Sequence, residues 1–278
     1  MAMTTTIDVS ALTAVVGATV SGVDLRESLA ADQVEVIQQA LLDHGVVFFR
    51  DQDLTREQMR AFVKNFGEPI PEPFGGDRGG DPIMEADLQP AKRATSIWHS
   101  DTTYVEEPPG FTALRAIDVP AAGGDTCWAS MFAAYDALSE PMRRMLDELT
   151  AVHSVFPVIE RMGLSGREHA DRSSDDNGLE FAHPVVRVHP RTGRKALFVN
   201  EGWTTHIVEL NKAESRAVLS LLFEHVKSPE FSMRWHWIPN SMAIWDNRSV
   251  QHYAVPDYEL PRVMQRVVLA GERPVGPR

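Results

Sequence analysis

Cysteine is nearly absent: Cys127 is the only one in 278 residues. A single thiol cannot close a disulfide framework or form a CxxC zinc site. It suits a reducing compartment, so a cytoplasmic location is expected. Basic residues are scarce as well. Lys and Arg total 27 against 39 Asp and Glu, a formal charge of −12. Binding to a phosphate backbone needs clustered Lys and Arg, so nucleic acid is not an expected partner. No apolar run approaches the roughly 18–20 residues of a membrane-spanning helix. The opening MAMTTTIDVS lacks the basic segment and apolar stretch of a secretory signal. Internal repeats are missing too, and no linker divides the sequence, so one domain over residues 1–278 is expected. With 43% apolar and 24% charged residues, the composition is that of an ordinary globular chain.

The patterning that remains is mixed. Val34, Ile37, Leu41 and Leu42 space a helix over Asp32 to His44, with Gly45 as its C-cap. VVFFR (46–50) follows as a buried strand. Thr55 and Gln58 form a capping box for a second helix, with Gly67 after it. The Pro- and Gly-rich stretch from Glu68 to Ser96 reads as one long binding loop. Beyond Trp98, strands dominate: 111–119, 124–130, a hairpin over 183–199 turning at Arg191-Thr192-Gly193, then 231–237, 242–246 and 262–270. Helices are expected around Met131–Leu138, Pro141–Ala151 and Asn211–Val226, and 158–181 reads as loop. FSMRWHW alternates strictly, with Phe231, Met233, Trp235 and Trp237 on one face. This order is not an alternating βαβ pattern. It favours a mainly β sandwich or jelly roll with flanking helices.

The sharpest local signal is Trp98-His99-Ser100-Asp101. Residues two apart on a strand share a face, so His99 and Asp101 can address one ion. His252, in WDNRSVQHY, is the candidate third ligand. Two imidazoles and a carboxylate leave coordination positions open, the arrangement of non-haem Fe(II) oxygenases. Taken alone, His-x-Asp reads equally as a hydrogen-bonded pair at a loop edge. The remaining histidines, His153, His183 and His236 among them, read as structural or surface residues. A second signal is Arg262 and Arg266, four apart on one strand face with Met264 and Val268. Guanidinium groups on an inward face need anionic partners, and arginine grips carboxylates bidentately. Surface ion pairs to Asp257 and Glu259 are the alternative.

Several ordered segments together, HGVVFFRDQ, WHSDTTYVEEPP, GGDTCWAS, HPVVRVHPRTGRKALFVNEG and AIWDNRSVQHYAVPDY, followed by Arg262 and Arg266, resemble the taurine dioxygenase (TauD/TfdA) family of Fe(II)- and 2-oxoglutarate-dependent oxygenases. The resemblance spans nearly the whole sequence. It implies a double-stranded β-helix, a cupin-like jelly roll. It implies Fe(II) on His99, Asp101 and His252, with 2-oxoglutarate and O2 as cosubstrates. It implies that Thr126 and Arg262 hold the distal carboxylate of 2-oxoglutarate, with Arg266 near its 1-carboxylate or the substrate anion. Cys127 is expected to be core filler. The implied reaction is hydroxylation of a C–H bond in a small anionic substrate, with fragmentation when the carbon bears sulfur, oxygen or nitrogen. Sulfonates, alkyl sulfates and carboxylates are the classes considered.

The sequence departs from the family where taurine would bind. Glu72 falls where the taurine enzymes carry a sulfonate-binding histidine, and Thr95 replaces an asparagine, which argues against taurine. A shifted loop that leaves Glu72 in solvent is the alternative. Thr102, Tyr104, Phe156, Trp203 and His206 are further candidate pocket residues by position, or core residues. A homo-oligomer, dimer or tetramer, is allowed. Two competing readings are a cupin-like metal-binding protein without turnover and a zinc hydrolase. The arginine pair has no role in the latter.

Overall fold

The computed structural model describes residues 7–71, 81–87, 96–161 and 179–277. The chain starts with an antiparallel hairpin, β1 (Asp8–Ala11) and β2 (Ala18–Ser21). Helix α1 (Ala31–His44) turns Ile37, Ala40 and Leu41 inward. It stops where Gly45, at φ 72°, donates its N–H to Leu41 O over 2.8 Å. Only glycine adopts that conformation cheaply, and a Cβ there would meet Val250 Cγ1 at 2.5 Å. The bend leads straight into β3 (Val46–Phe49), which is buried throughout. The capping box of α2 (Arg56–Val63) forms as the sequence suggests: Gln58 N donates to Thr55 Oγ1 and Thr55 N to Gln58 Oε1.

Of the region 68–96, residues 72–80 and 88–95 lie outside the described residues, and the rest is not all loop. It contains β4 (Pro69–Ile70) and β5 (Met84–Asp87), both paired with the last strand. Partners distant in sequence, not local propensity, make these strands. Next come β6 (Phe111–Asp118), β7 (Thr126–Ser130), α3 (Met131–Asp136) and α4 (Glu140–Leu146). The helix read over 141–151 is shorter than expected. Its end gives way to β8 (Thr150–Ser154), whose pairing with two neighbours overrides the helical spacing before it. A short helix, α5 (Phe156–Arg161), occupies the start of the region read as loop. The expected hairpin over 183–199 is split. β9 (Glu180–Pro184) joins β8, while β10 (Val186–Val188) and β11 (Lys195–Leu197) form the hairpin, with Gly193 at φ 70° in its turn. The chain ends with β12 (Thr204–Ile207), α6 (Lys212–His225), β13 (Ser232–Trp235), β14 (Met242–Asp246), β15 (Val250–Ala254) and β16 (Val263–Leu269).

The main sheet runs β1-β2-β3-β14-β6-β16-β4, with β5 also on β16, and a second sheet runs β13-β7-β15. Between them lies an aromatic core of Phe48, Trp128, Trp235, Trp237 and Trp245. The alternation of 231–237 appears as expected, with the aromatic face buried and Arg234 and His236 exposed. Two facing sheets with helices outside them form a jelly roll, the double-stranded β-helix. Cys127 is a correction: it is half-buried, paired in register with Arg234 and Tyr253, and is not core filler. Thr126 and Trp128 take the inward positions on that strand. No helix among the described residues is long and apolar enough to cross a membrane.

Candidate active site

Backbone pairing brings the two separated histidines together. His99 N donates to His252 O at 3.1 Å and His252 N to His99 O at 2.8 Å, a closed antiparallel bridge. Their rings lie 4.2 Å apart. Asp101 stands two residues on. One donor atom from each of His99, Asp101 and His252 falls within 4.8 Å of the others, and all three residues are buried. His99 Nε2 and His252 Nε2 lie 3.8 Å and 3.7 Å from Asp101 Oδ1.

The surrounding contacts fix which atoms are free. His99 Nδ1 sits 2.7 Å from Ile97 O, so Nδ1 carries the hydrogen and Nε2 keeps its lone pair facing the cluster. Thr112 donates to Asp101 Oδ2 at 2.7 Å, while Oδ1 faces the two imidazoles and Arg266. Thr112 in turn accepts from Asn247 Nδ2, and Asn247 Oδ1 accepts from Asp101 N and from Trp245 Nε1. Trp203 donates its indole hydrogen to Ser100 O, and Gly202 packs so closely that a Cβ would come 2.9 Å from His99 Cβ. The metal-facing edge is therefore held from both sides.

Electrostatics agree with this geometry. Burial lowers the pKa of His99, and it lowers that of His252 well below the ordinary imidazole value, with His99 adding to the effect. Both rings are therefore neutral and able to ligate. Burial opposes ionisation of Asp101, but the Arg266 guanidinium beside it and the Thr112 hydroxyl hold the carboxyl ionised. Two imidazole nitrogens and one carboxylate oxygen suit a divalent first-row metal with open positions.

A cavity of about 110 Å³ opens beside this cluster, lined by Met84, Leu114, Thr126, Trp245, Ala254, Arg262, Met264 and Arg266 besides the three candidate ligands. The two arginines share its wall, as their spacing implies. Arg266 Nη2 stands 2.6 Å from Asp101 Oδ1. Arg262 is 2% exposed, its Nη2 donates to Thr126 Oγ1 at 3.3 Å, and its Nε has no partner among the described residues. A buried guanidinium with an unmet donor beside a cavity fits a carboxylate ligand. Neither arginine pairs with Asp257 or Glu259; Asp257 is held by Arg234 instead.

The other sequence candidates lie elsewhere. Glu72 and Thr95 are outside the described residues. Thr102, Tyr104 and Trp203 are buried near the metal-facing edge but do not line the cavity. Phe156 is 42% exposed, and His206 belongs to a groove against α6. Met264 lines the cavity beside the arginines as the sequence places it, whereas Val268 does not; sequence reasoning missed Met84 and Leu114 as cavity walls and Thr112 and Asn247 as supports of Asp101. Leu114 lies two residues after Thr112 on β6, a spacing that points to it only once Thr112 is known; Met84 gave no signal.

A jelly roll with two histidines and a carboxylate converging on an arginine-lined cavity defines the class of non-haem metal oxygenases. The model of the taurine catabolism dioxygenase TauD, TfdA family matches residues 8–268, and the chain belongs to that family. An alpha-ketoglutarate-dependent sulfate ester dioxygenase of Pseudomonas putida is 40% identical, over 97% of this chain and 91% of that protein. An alkylsulfatase of Acinetobacter baylyi is 38% identical over 95% of this chain and 85% of its own length. Among solved structures, a putative alpha-ketoglutarate-dependent taurine dioxygenase from Burkholderia xenovorans superposes with a TM-score of 0.85 at 39% identity, covering 98% of this chain and 95% of that one. The protein is an Fe(II)- and 2-oxoglutarate-dependent dioxygenase that hydroxylates a small substrate with O2 as the other cosubstrate. A jelly-roll protein without turnover is not the reading these relatives support.

Proposed function

We propose that this chain is a single cytoplasmic dioxygenase domain over residues 1–278 that acts on alkyl sulfate esters in preference to taurine. In this reading His99, Asp101 and His252 hold the Fe(II). Thr126 and Arg262 hold the distal carboxylate of 2-oxoglutarate. Arg266 meets its 1-carboxylate or the acidic group of the substrate. The observation that carries the reading is the cavity wall itself: two arginines for anionic groups, set among Met84, Leu114, Ala254 and Met264 beside the three candidate ligands. Such a wall suits an apolar carbon chain ending in an anion. The relatives named for sulfate esters and alkyl sulfates favour that class.

When bound, Fe(II) with 2-oxoglutarate and O2 supplies the oxidation of an aliphatic C–H bond. This chain's residues do the rest. The apolar wall excludes water from the reacting carbon. Thr112 keeps one Asp101 oxygen occupied so that the other stays with the metal. Arg262 and Arg266 fix the two acids so that the carbon next to the ester oxygen is the one exposed. Hydroxylation there places a hydroxyl and a sulfate on one carbon. The C–O bond to sulfate then breaks, the hydroxyl loses its proton, and an aldehyde and sulfate leave.

Taurine is disfavoured in this reading because the resemblance sets Glu72 where the taurine enzymes carry a sulfonate-binding histidine, and Thr95 where the family carries an asparagine. The test is a succinate-release screen against alkyl sulfates, sulfonates including taurine, and aryloxy acids. Equimolar succinate, aldehyde and sulfate from an alkyl sulfate are expected. Efficient taurine turnover, or turnover of aryloxy acids alone, would overturn the substrate assignment.

A further inference from the structure

Thr126 lines the cavity and is 3% exposed, and two N–H groups point at its hydroxyl oxygen. Trp237 Nε1 donates to Thr126 Oγ1 at 2.9 Å, and Arg262 Nη2 donates to the same atom at 3.3 Å. A hydroxyl has two acceptor lone pairs and one hydrogen to give. Both lone pairs are taken, so the hydrogen must point elsewhere. It has no acceptor among the described residues, and the space beside it is the cavity.

The donor behind it is rigid. Trp237 is 1% exposed and does not line the cavity. Its ring packs against Trp128, at 6.2 Å between centroids, in the core between the two sheets. Register sets the reach: Trp235 on β13 pairs with Thr126 on β7, and Trp237 follows two residues later on the same face. The indole N–H meets the cavity through the Thr126 hydroxyl.

We infer that Trp237 is a positioning residue for the cosubstrate, its indole N–H locking the Thr126 hydroxyl so that the hydrogen is presented to the distal carboxylate. Without that N–H the hydroxyl can rotate, and part of its time is spent with a lone pair facing an anionic oxygen. The inference rests on the proposed placement of 2-oxoglutarate on Thr126 and Arg262. It adds a specific role for a tryptophan that otherwise reads as core.

The test is calorimetric binding of 2-oxoglutarate to the Mn(II)-loaded protein without turnover. Trp237→Phe keeps a ring and removes the donor; affinity should fall roughly three- to tenfold, as expected for one neutral hydrogen bond. The Mn(II) affinity should not change. In a Thr126→Val background, which weakens binding by itself, Trp237→Phe should add nothing, because the two act as one unit. If the phenylalanine variant does not fold, benzothienylalanine placed at 237 replaces the N–H by sulfur and keeps the shape. Unchanged 2-oxoglutarate affinity, an equal loss in the Thr126→Val background, or a parallel loss of Mn(II) affinity would each overturn the inference. If Thr126→Val and Arg262→Ala both leave binding unchanged, the proposed cosubstrate site itself fails, a result distinct from failure of Trp237 alone.

Discussion

Asp246 and Asp101 are both buried, at 0% and 3% exposure, on strands of the same jelly roll or at their edge. Their surroundings differ in one respect. Each oxygen of Asp246 is saturated. Oδ1 accepts from Arg248 N and Nε, and Oδ2 accepts from Arg248 Nη2 and from His189 Nε2 at 3.0 Å. His189 can only donate there, because its Nδ1 accepts from the Arg191 and Thr192 amides. Asp101 has one oxygen satisfied by Thr112, while the other faces two imidazole nitrogens and Arg266. A buried carboxylate with all its partners built in holds the turn between β14 and β15 in place. The second Asp101 oxygen is shared between the partly exposed Arg266 and the direction of two imidazole nitrogens, which makes Asp101 the candidate cation ligand of the two.

Substitution should separate the two roles. Asp101→Ala is expected to abolish 2-oxoglutarate-dependent turnover and Mn(II) binding. The melting temperature of the metal-free protein should move little, since Arg266 is partly exposed and can turn to solvent. Retained turnover in that variant would break the comparison. Asp246→Ala should do the reverse. Arg248 and His189 lose a buried partner, which costs about 3–5 kcal/mol, a fall in melting temperature of order 10 °C. Below that temperature, Mn(II) binding should survive. A variant that melts normally but loses metal would show that Asp246 belongs to the centre.

The arginine wall gives a smaller effect. Arg262→Ala should weaken 2-oxoglutarate by about 2–5 kcal/mol. Arg262→Lys should recover only part of it, because an ammonium lacks the planar fork. A cosubstrate titration checks both, and an unchanged curve would reduce Arg262 to a structural ion.

Buried histidines extend the comparison to a pair without an acid. His153 and His183 lie ring to ring at 5.4 Å, and burial holds His183 down to about 4 and His153 well below the ordinary value. Both are neutral in the native state, and the unfolded chain takes up protons first. Their stabilisation is complete above the unfolded value near 6.5 and is lost as pH falls toward about 4. For His183 the loss is about 3 kcal/mol across that window. His183→Phe should flatten the fall in denaturation midpoint between those pH values. An unaltered slope would place the acid sensitivity elsewhere.

The grouping of the candidate residues was legible in part, because His99 and Asp101 lie close in sequence, as do Arg262 and Arg266. The strand read through both pairs is only partly there: Asp101 lies in a turn after the His99 bridge, and Arg262 precedes β16 with a register shift between Val263 and Met264, so pleating alone does not bring either pair together. His252 was legible as a residue type able to complete the set, but the strand that carries it, β15, was not among the expected strands. The supports of Asp101 were not legible. Asn247 reaches it across 146 positions and Thr112 across 11, and no local pattern announces such contacts. Phe156 and His206 were candidates by linear position, but α5 and the packing of β12 against α6 carry them away from the cavity. The same long-range pairing made β8 out of residues that read as helix.

The central claim is that His99, Asp101 and His252 form one metal centre beside the arginine wall. A crystal structure of the protein with Mn(II) and a non-reactive 2-oxoglutarate analogue tests it most directly. The account predicts one ion bound by His99 Nε2, Asp101 Oδ1 and His252 Nε2, with the distal carboxylate of the analogue on Thr126 and Arg262. An ion bound elsewhere, or one that leaves any of the three residues uncoordinated, would contradict it.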